Sequence, residues 1–223
     1  GTFHSRHEGE IAGFKAGSPE YEAMFSSAAR QIEAHLKEKG WLDKAYIYWF
    51  DEPEPRDYEF VRAGMDRLKK HVPGLCRMLT EEPVEALFGA VDLWCPISSN
   101  FNLAIADKRR AEGERFWWYV CTGPKAPYCT LFIDHPATDL RVWLWQTWQR
   151  RIEGILVWQS TYWTSSAAFP DGLQNPYTDP MAYVSGYSTP AGTKKHWGNG
   201  DGRFVYPPEA AASGSATPVL DGP

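Results

Sequence analysis

Apolar positions along the chain alternate between two rhythms. In residues 19–39, Tyr21, Phe25, Ala28, Ile32 and Leu36 recur at steps of three and four, and Gly40 follows, which predicts an amphipathic helix with a glycine stop. Directly afterwards YIYWF (46–50) is apolar and aromatic without interruption, which predicts a short strand covered on both faces. Pro53 and Pro55 prevent that strand from continuing. Helix spacing returns over 57–71, with Val61, Met65 and Leu68 on one face and Asp57 placed to cap the start. The alternation then repeats: strand 75–80, short helix 81–90, strand 91–96, helix 101–112, strand 116–121, a long helix 136–153 and strand 155–159.

Strand alternating with helix predicts the α/β class, a parallel sheet joined by right-handed crossovers. Five strands do not close an eight-stranded barrel. The pattern therefore fits either an open doubly wound sheet or the C-terminal part, about strands four to eight, of a (β/α)8 TIM barrel. No glycine-rich phosphate loop accompanies the first alternative. Chemically active side chains at the C-terminal strand ends favour the second. Residues 1–18 read as a loop lead-in, 19–165 as the partial barrel and 166–223 as an irregular extension of the same domain, with a low-complexity tail from about 209. No helix is predicted after the last strand, so the chain reads as truncated at both ends.

Composition changes this picture in one respect. Trp, Tyr and Phe number 11 each, 15% of the residues. A tryptophan N–H wants a partner, so many tryptophans on an α/β scaffold point to a pocket that stacks flat, half-apolar rings such as sugars, besides those that simply fill the core. Lys plus Arg is 23 against 28 Asp plus Glu, a net charge of −5 with no basic run, which speaks against a nucleic-acid partner. No stretch reaches the roughly 20 apolar residues of a membrane span. Cys76, Cys95, Cys121 and Cys129 lack the paired spacing of a zinc site; Cys121 and Cys129 flank one loop and could bridge in an oxidising compartment, but buried thiols are the expected state. His4, His7 and Glu8 do not form the helical metal motif, and neither metal nor cofactor is predicted.

The chemistry centres on Asp51 and Glu52, adjacent carboxyls where a strand empties into a loop. One reading makes them, with Glu54, acids that suit the N-terminal dipole of the next helix. The other makes them catalytic. Neighbouring strand residues face opposite ways, so both reach one pocket only if the backbone leaves strand geometry; Pro53 predicts an extended or polyproline conformation at Glu52. Ordinary glycosidases hold two carboxyls roughly 5–10 Å apart across the scissile bond, which consecutive residues can hardly do. An adjacent pair fits substrate-assisted hydrolysis, in which a 2-acetamido oxygen attacks the anomeric carbon. No serine elbow or cysteine–histidine signature competes. For sugar stacking, position at strand ends selects Trp94, Trp158 and Trp163, with Tyr119 as a hydrogen-bonding partner; Trp143, Trp145 and Trp148 read as helix packing.

Four segments in order, YIYWFDEPE (46–54), WWYVCTGPKAPYCTLFIDHPATDLRVWLWQTW (117–148), EGILVWQSTYW (153–163) and NGDGRFVYP (199–207), resemble the catalytic barrel of glycoside hydrolase family 123, within the region of domain of unknown function 4091. The resemblance spans about residues 40–208. It implies a retaining exo-β-N-acetylgalactosaminidase-like enzyme using an oxazoline intermediate, with Asp51 steadying the acetamido group and Glu52 as general acid/base. It implies that the acid-bearing strand is the fourth of a barrel, and that the substrate is a β-linked N-acetylhexosamine glycan. The family's first three barrel strands, the β-sandwich before them and the helical segment after the last motif are not in this sequence, so the segment alone is expected to be inactive. A non-catalytic glycan-binding barrel, or a glycosidase for another sugar, are the competing readings. Polymeric glycans do not enter cells readily, so a secreted or periplasmic location is expected.

Overall fold

A computed structural model describes residues 9–185 and 189–208. The tail from about 209 and the His4, His7 and Glu8 group lie outside the described residues. The chain forms two compact units, divided between Trp118 and Tyr119.

In the first unit, strands β1 (Glu10–Ile11) and β2 (Phe14–Lys15) make a small antiparallel hairpin, so the lead-in is not wholly loop. Helix α1 (Pro19–Glu38) starts where Ser18 accepts a hydrogen bond from the Tyr21 N–H at 3.2 Å and a proline fills the first helical position, where no N–H is needed. Strand β3 (Tyr46–Phe50) leads through a 3-10 turn at Pro55–Asp57 into helix α2 (Tyr58–His71). Val61, Met65 and Leu68 are buried, as their spacing requires. Strand β4 (Cys76–Leu79), strand β5 (Leu93–Trp94), helix α3 (Leu103–Ala111) and strand β6 (Arg115–Val120) follow. The helix expected over 81–90 is only a 3-10 turn at Glu85–Leu87, since Pro83 opens the segment and leaves too few residues for an α-helical nucleus.

Helix α4 (Ala137–Gln149) and strand β7 (Gly154–Val157) belong to the second unit. The sheet order is β3-β4-β5-β6-β7, and the pairs from β3 to β6 are parallel. Met78, Leu79, Leu93, Trp94, Phe116 and Val120 fill the core of this α/β sheet. β3 is different. It is an end strand, and its Tyr46, Tyr48 and Trp49 are 44%, 41% and 48% exposed. The expectation of a strand covered on both faces is therefore corrected: an aromatic run marks a strand but not its rank in the sheet.

The region after 165 is less irregular than its sequence suggests. Strand β8 (Met181–Tyr183) pairs antiparallel with strand β9 (His196–Asn199), and Thr161 bridges Arg203. Arg203 ties this corner together by donating to the carbonyls of Tyr162 (2.9 Å), Pro180 and Trp163 (3.4 Å). On α4 only Trp143 is buried; Trp145 and Trp148 stand in solvent, Trp148 at 82% exposed, which corrects the reading of all three as packing. Cys121 and Cys129 are free thiols, like Cys76 and Cys95. No helix among the described residues is long and apolar enough to cross a membrane.

Candidate active site

The site begins with an irregularity in β3. It pairs with β4 at Tyr46↔Cys76, Ile47↔Arg77 and Tyr48↔Met78, and then slips so that Phe50 faces Leu79. Trp49 is one residue too many for the ladder, a β-bulge, the device that re-aims side chains beside active sites. On a regular strand Tyr48 and Asp51, three apart, would face opposite ways. The extra residue reverses that parity, and the Tyr48 hydroxyl donates to Asp51 Oδ1. Burial, and then the hydrogen bond to Asp51, push the Tyr48 phenol far above its ordinary range, so it stays a proton-bearing donor.

Thr80 supplies the second strand's contribution, from the residue just after β4. Its Oγ1–H donates to Asp51 Oδ1 at 2.7 Å, and the same Oγ1 accepts the Glu52 N–H at 2.9 Å. Glu52 has φ of +34°, a left-handed backbone rather than the extended one that Pro53 favours. A non-glycine residue there costs roughly 1–3 kcal/mol and persists only where its surroundings impose it. The chain thus leaves strand geometry at the acids by a bulge and a left-handed residue together.

Beyond Thr80 lie more acids. Glu81 is raised to about 8, first by burial and then by the charge of Glu82, with Glu52 adding to the rise and the Tyr58 hydroxyl, at 3.4 Å, opposing it. Near neutral pH Glu81 is therefore mostly a neutral carboxylic acid. Burial, and then Glu81, raise Tyr58 to about 12. Burial and the Asp51 charge lift the Cys95 thiol well above its ordinary range, so it is not a nucleophile. Among the described residues no group of three His, Cys, Asp or Glu is arranged to hold a metal ion. A cavity of about 320 Å³ between α1, α2 and β3, lined by Tyr21, Phe25, Tyr48, Trp49, Phe60 and Arg67, borders this region but not the acids.

The aromatic candidates separate. Trp94 is fully buried in the sheet core, its indole N–H donating to Glu114 at 2.5 Å, so it presents no face to a sugar. That corrects its selection by strand-end position. Tyr119 is buried as well. Trp163 is committed by its N–H to the Val205 carbonyl at 2.6 Å. Trp158 is 38% exposed and forms an aromatic cluster with Tyr162 and Trp197, at ring separations of 5.2 and 5.3 Å. Tyr48, Glu81 and Trp197 escape a reading of the sequence, and Thr80 is visible there only as a polar strand end. No local spacing announces them: Tyr48 meets Asp51 only because of the bulge, Glu81 is lifted first by burial that the fold supplies, and Trp197 joins Trp158 from a distant segment.

Among curated proteins none matches the chain. The chain is similar in structure to a family 123 glycoside hydrolase from Clostridium perfringens, the subject of work on glycolipid glycan hydrolysis, with a TM-score of 0.57 at 20% identity. That likeness covers 91% of this chain and 32% of the other, so the chain spans about a third of its length, and identity this low shows the fold alone. The sequence profile of the glycoside hydrolase 123 catalytic domain matches residues 4–217, and the chain accordingly belongs to the glycoside hydrolase family 123 catalytic-domain family.

Proposed function

We propose that this domain serves a retaining, substrate-assisted β-N-acetylgalactosaminidase-type glycosidase, with its five-stranded sheet as about strands four to eight of a TIM barrel. The observation that carries the reading is that one threonine at the end of the neighbouring strand holds both the carboxylate of Asp51 and the backbone N–H of the next residue, Glu52. Consecutive acids can hardly take opposite sides of a glycosidic bond, which favours a nucleophile supplied by the substrate. The acetamido carbonyl oxygen attacks C1 and the C1–O glycosidic bond breaks. Glu52 gives its proton to the departing oxygen, and Asp51 accepts the acetamido N–H and steadies the oxazoline. Water then adds to C1, returning its proton to Glu52 and reopening the ring. Near neutral pH a mostly uncharged Glu81 spares the pair a further negative charge. Trp158 is retained as a stacking surface, and a secreted or periplasmic location fits a glycan substrate.

The test is an aryl β-N-acetylgalactosaminide offered to a full-length protein that carries this domain, with the plain galactoside as control and a thiazoline mimic of the oxazoline as inhibitor. Turnover of the first alone, blocked by the thiazoline, is expected. Equal turnover of the plain galactoside would sink the substrate-assisted mechanism.

A further inference from the structure

We propose that Thr80 is the positioning residue for both acids, with one hydroxyl fixing the carboxylate of Asp51 and the backbone of Glu52 together. The catalytic consequence rests on the glycosidase reading; the arrangement does not. Thr80 is 3% exposed and sits at the C-terminal end of β4, 28 residues from Glu52 in sequence. A hydroxyl has one proton and two lone pairs. The proton goes to Asp51 Oδ1, one lone pair receives the Glu52 N–H, and the Tyr48 hydroxyl lies 3.1 Å from the same Oγ1. Tyr48 has a single proton and makes its shorter contact with Asp51, so two hydroxyls converge on one carboxylate oxygen. Being β-branched, Thr80 has little freedom at χ1, and this aims the hydroxyl without a further partner.

The bond to Glu52 does a second job. Pro53 drives Glu52 toward extended backbone, yet Glu52 holds φ of +34°. By accepting its N–H, the Thr80 oxygen fixes the peptide plane between Asp51 and Glu52, the platform from which φ of Glu52 aims the carboxyl. Removing it lets that plane turn, and such a turn swings the Glu52 carboxyl by ångströms from the position Asp51 is set to share. Misplacement by about 1 Å suffices for losses of about 100-fold.

Thr80→Val keeps the side-chain shape and removes the hydroxyl; Thr80→Ser keeps the hydroxyl. In crystal structures of the ligand-free protein, Thr80→Val should show the Asp51–Glu52 peptide plane turned, the Glu52 carboxyl displaced with it and the Asp51 carboxylate rotated, while Thr80→Ser should retain the wild-type arrangement. In a full-length protein carrying this domain, and with an aryl β-N-acetylgalactosaminide, Thr80→Val should lower kcat by about 10- to 100-fold with KM within about threefold, and Thr80→Ser should restore most of kcat. If Thr80→Val does not fold, Thr80→Ala carries the same two readouts. Unmoved acids in the hydroxyl-free variant, or equal kcat for the Val and Ser variants, overturn the proposal. An inactive wild type whose Glu52 still moves in Thr80→Val overturns only the glycosidase reading.

Discussion

Glu81 and Asp201 are both carboxyls held above their ordinary range, to about 8 and about 6, and they arrive there by different routes. Glu81 is half-buried, and after burial its main cause is other acids, Glu82 and Glu52. Asp201 is 1% exposed, and burial alone raises it, while Arg203 and a backbone bond from Gly202 pull it down. Its Oδ2 has no hydrogen-bond partner, because the Arg203 guanidinium is given to the carbonyls of Tyr162, Pro180 and Trp163. Like charges gathered at a strand end lower the stability of the folded state and are retained where protons are exchanged. A lone buried carboxyl in a corner braced by an arginine reads instead as a cost of closing that corner.

The largest effect belongs to the first region. Glu52→Gln should cut kcat by about 10²- to 10⁴-fold on substrates with poor leaving groups, the range for a general acid, and much less on an activated aryl glycoside. Asp51→Asn should hurt both classes alike, since the oxazoline forms in either case. A Glu52→Gln loss that ignores leaving-group pKa, read from kcat against a series of substituted phenyl glycosides, would move Glu52 out of the acid role and leave the acid cluster no chemistry to explain it.

Next in size is stability. A carboxyl whose folded pKa is raised keeps its proton in a window where the unfolded chain has released it. Stability is therefore fully present below the unfolded value and falls as pH rises through the window. For Asp201 the window is about 4 to 6 and for Glu81 about 4.5 to 8. Asp201→Asn should raise Tm at pH 7 by roughly 2–4 °C and flatten the wild-type decline between pH 4 and 6. Glu81→Gln should flatten the decline from pH 6 to 8. Thermal melts across that range, with an unchanged slope in either variant, would remove that carboxyl from the comparison.

How much of this could be read from residues alone follows from the range of the interactions. Helices α1 and α2 were legible because Tyr21, Phe25, Val61, Met65 and Leu68 carry a period that stays within the helix. The strand bearing the acids was legible as a strand. The bulge at Trp49 was not, since YIYWF has no polar residue to betray a change of parity. The left-handed Glu52 went against the local preference that Pro53 sets, and the Thr80 oxygen that accepts its N–H lies 28 residues away. Trp94 failed for a related reason: Glu114, 20 residues on, satisfies its N–H inside the core and removes the need for a wet edge. In the second unit, β8 and β9 are three and four residues long, too short to show alternation.

A smaller effect separates the two carboxyls by cause. Followed by carboxyl carbon NMR, Glu81 should titrate lower in Glu82→Gln, and lower by a lesser amount in Glu52→Gln, because Glu82 is the larger of the two charges acting on it. Asp201 should not move in either variant. Raising the ionic strength from about 0.05 to 0.5 M shortens the Debye length from roughly 14 to 4 Å and should lower Glu81 by roughly 0.3 in pH, as repulsion from its part-exposed neighbours is screened. The charge acting on Asp201 is the attraction of Arg203, itself buried and poorly screened, so Asp201 should hold still or drift upward. Opposite responses to one salt jump would show that neighbouring acids add to burial in lifting Glu81, whereas burial alone lifts Asp201. A parallel fall in both would mean that unrecognised negative charge surrounds Asp201, and that the second unit too gathers acids around a proton.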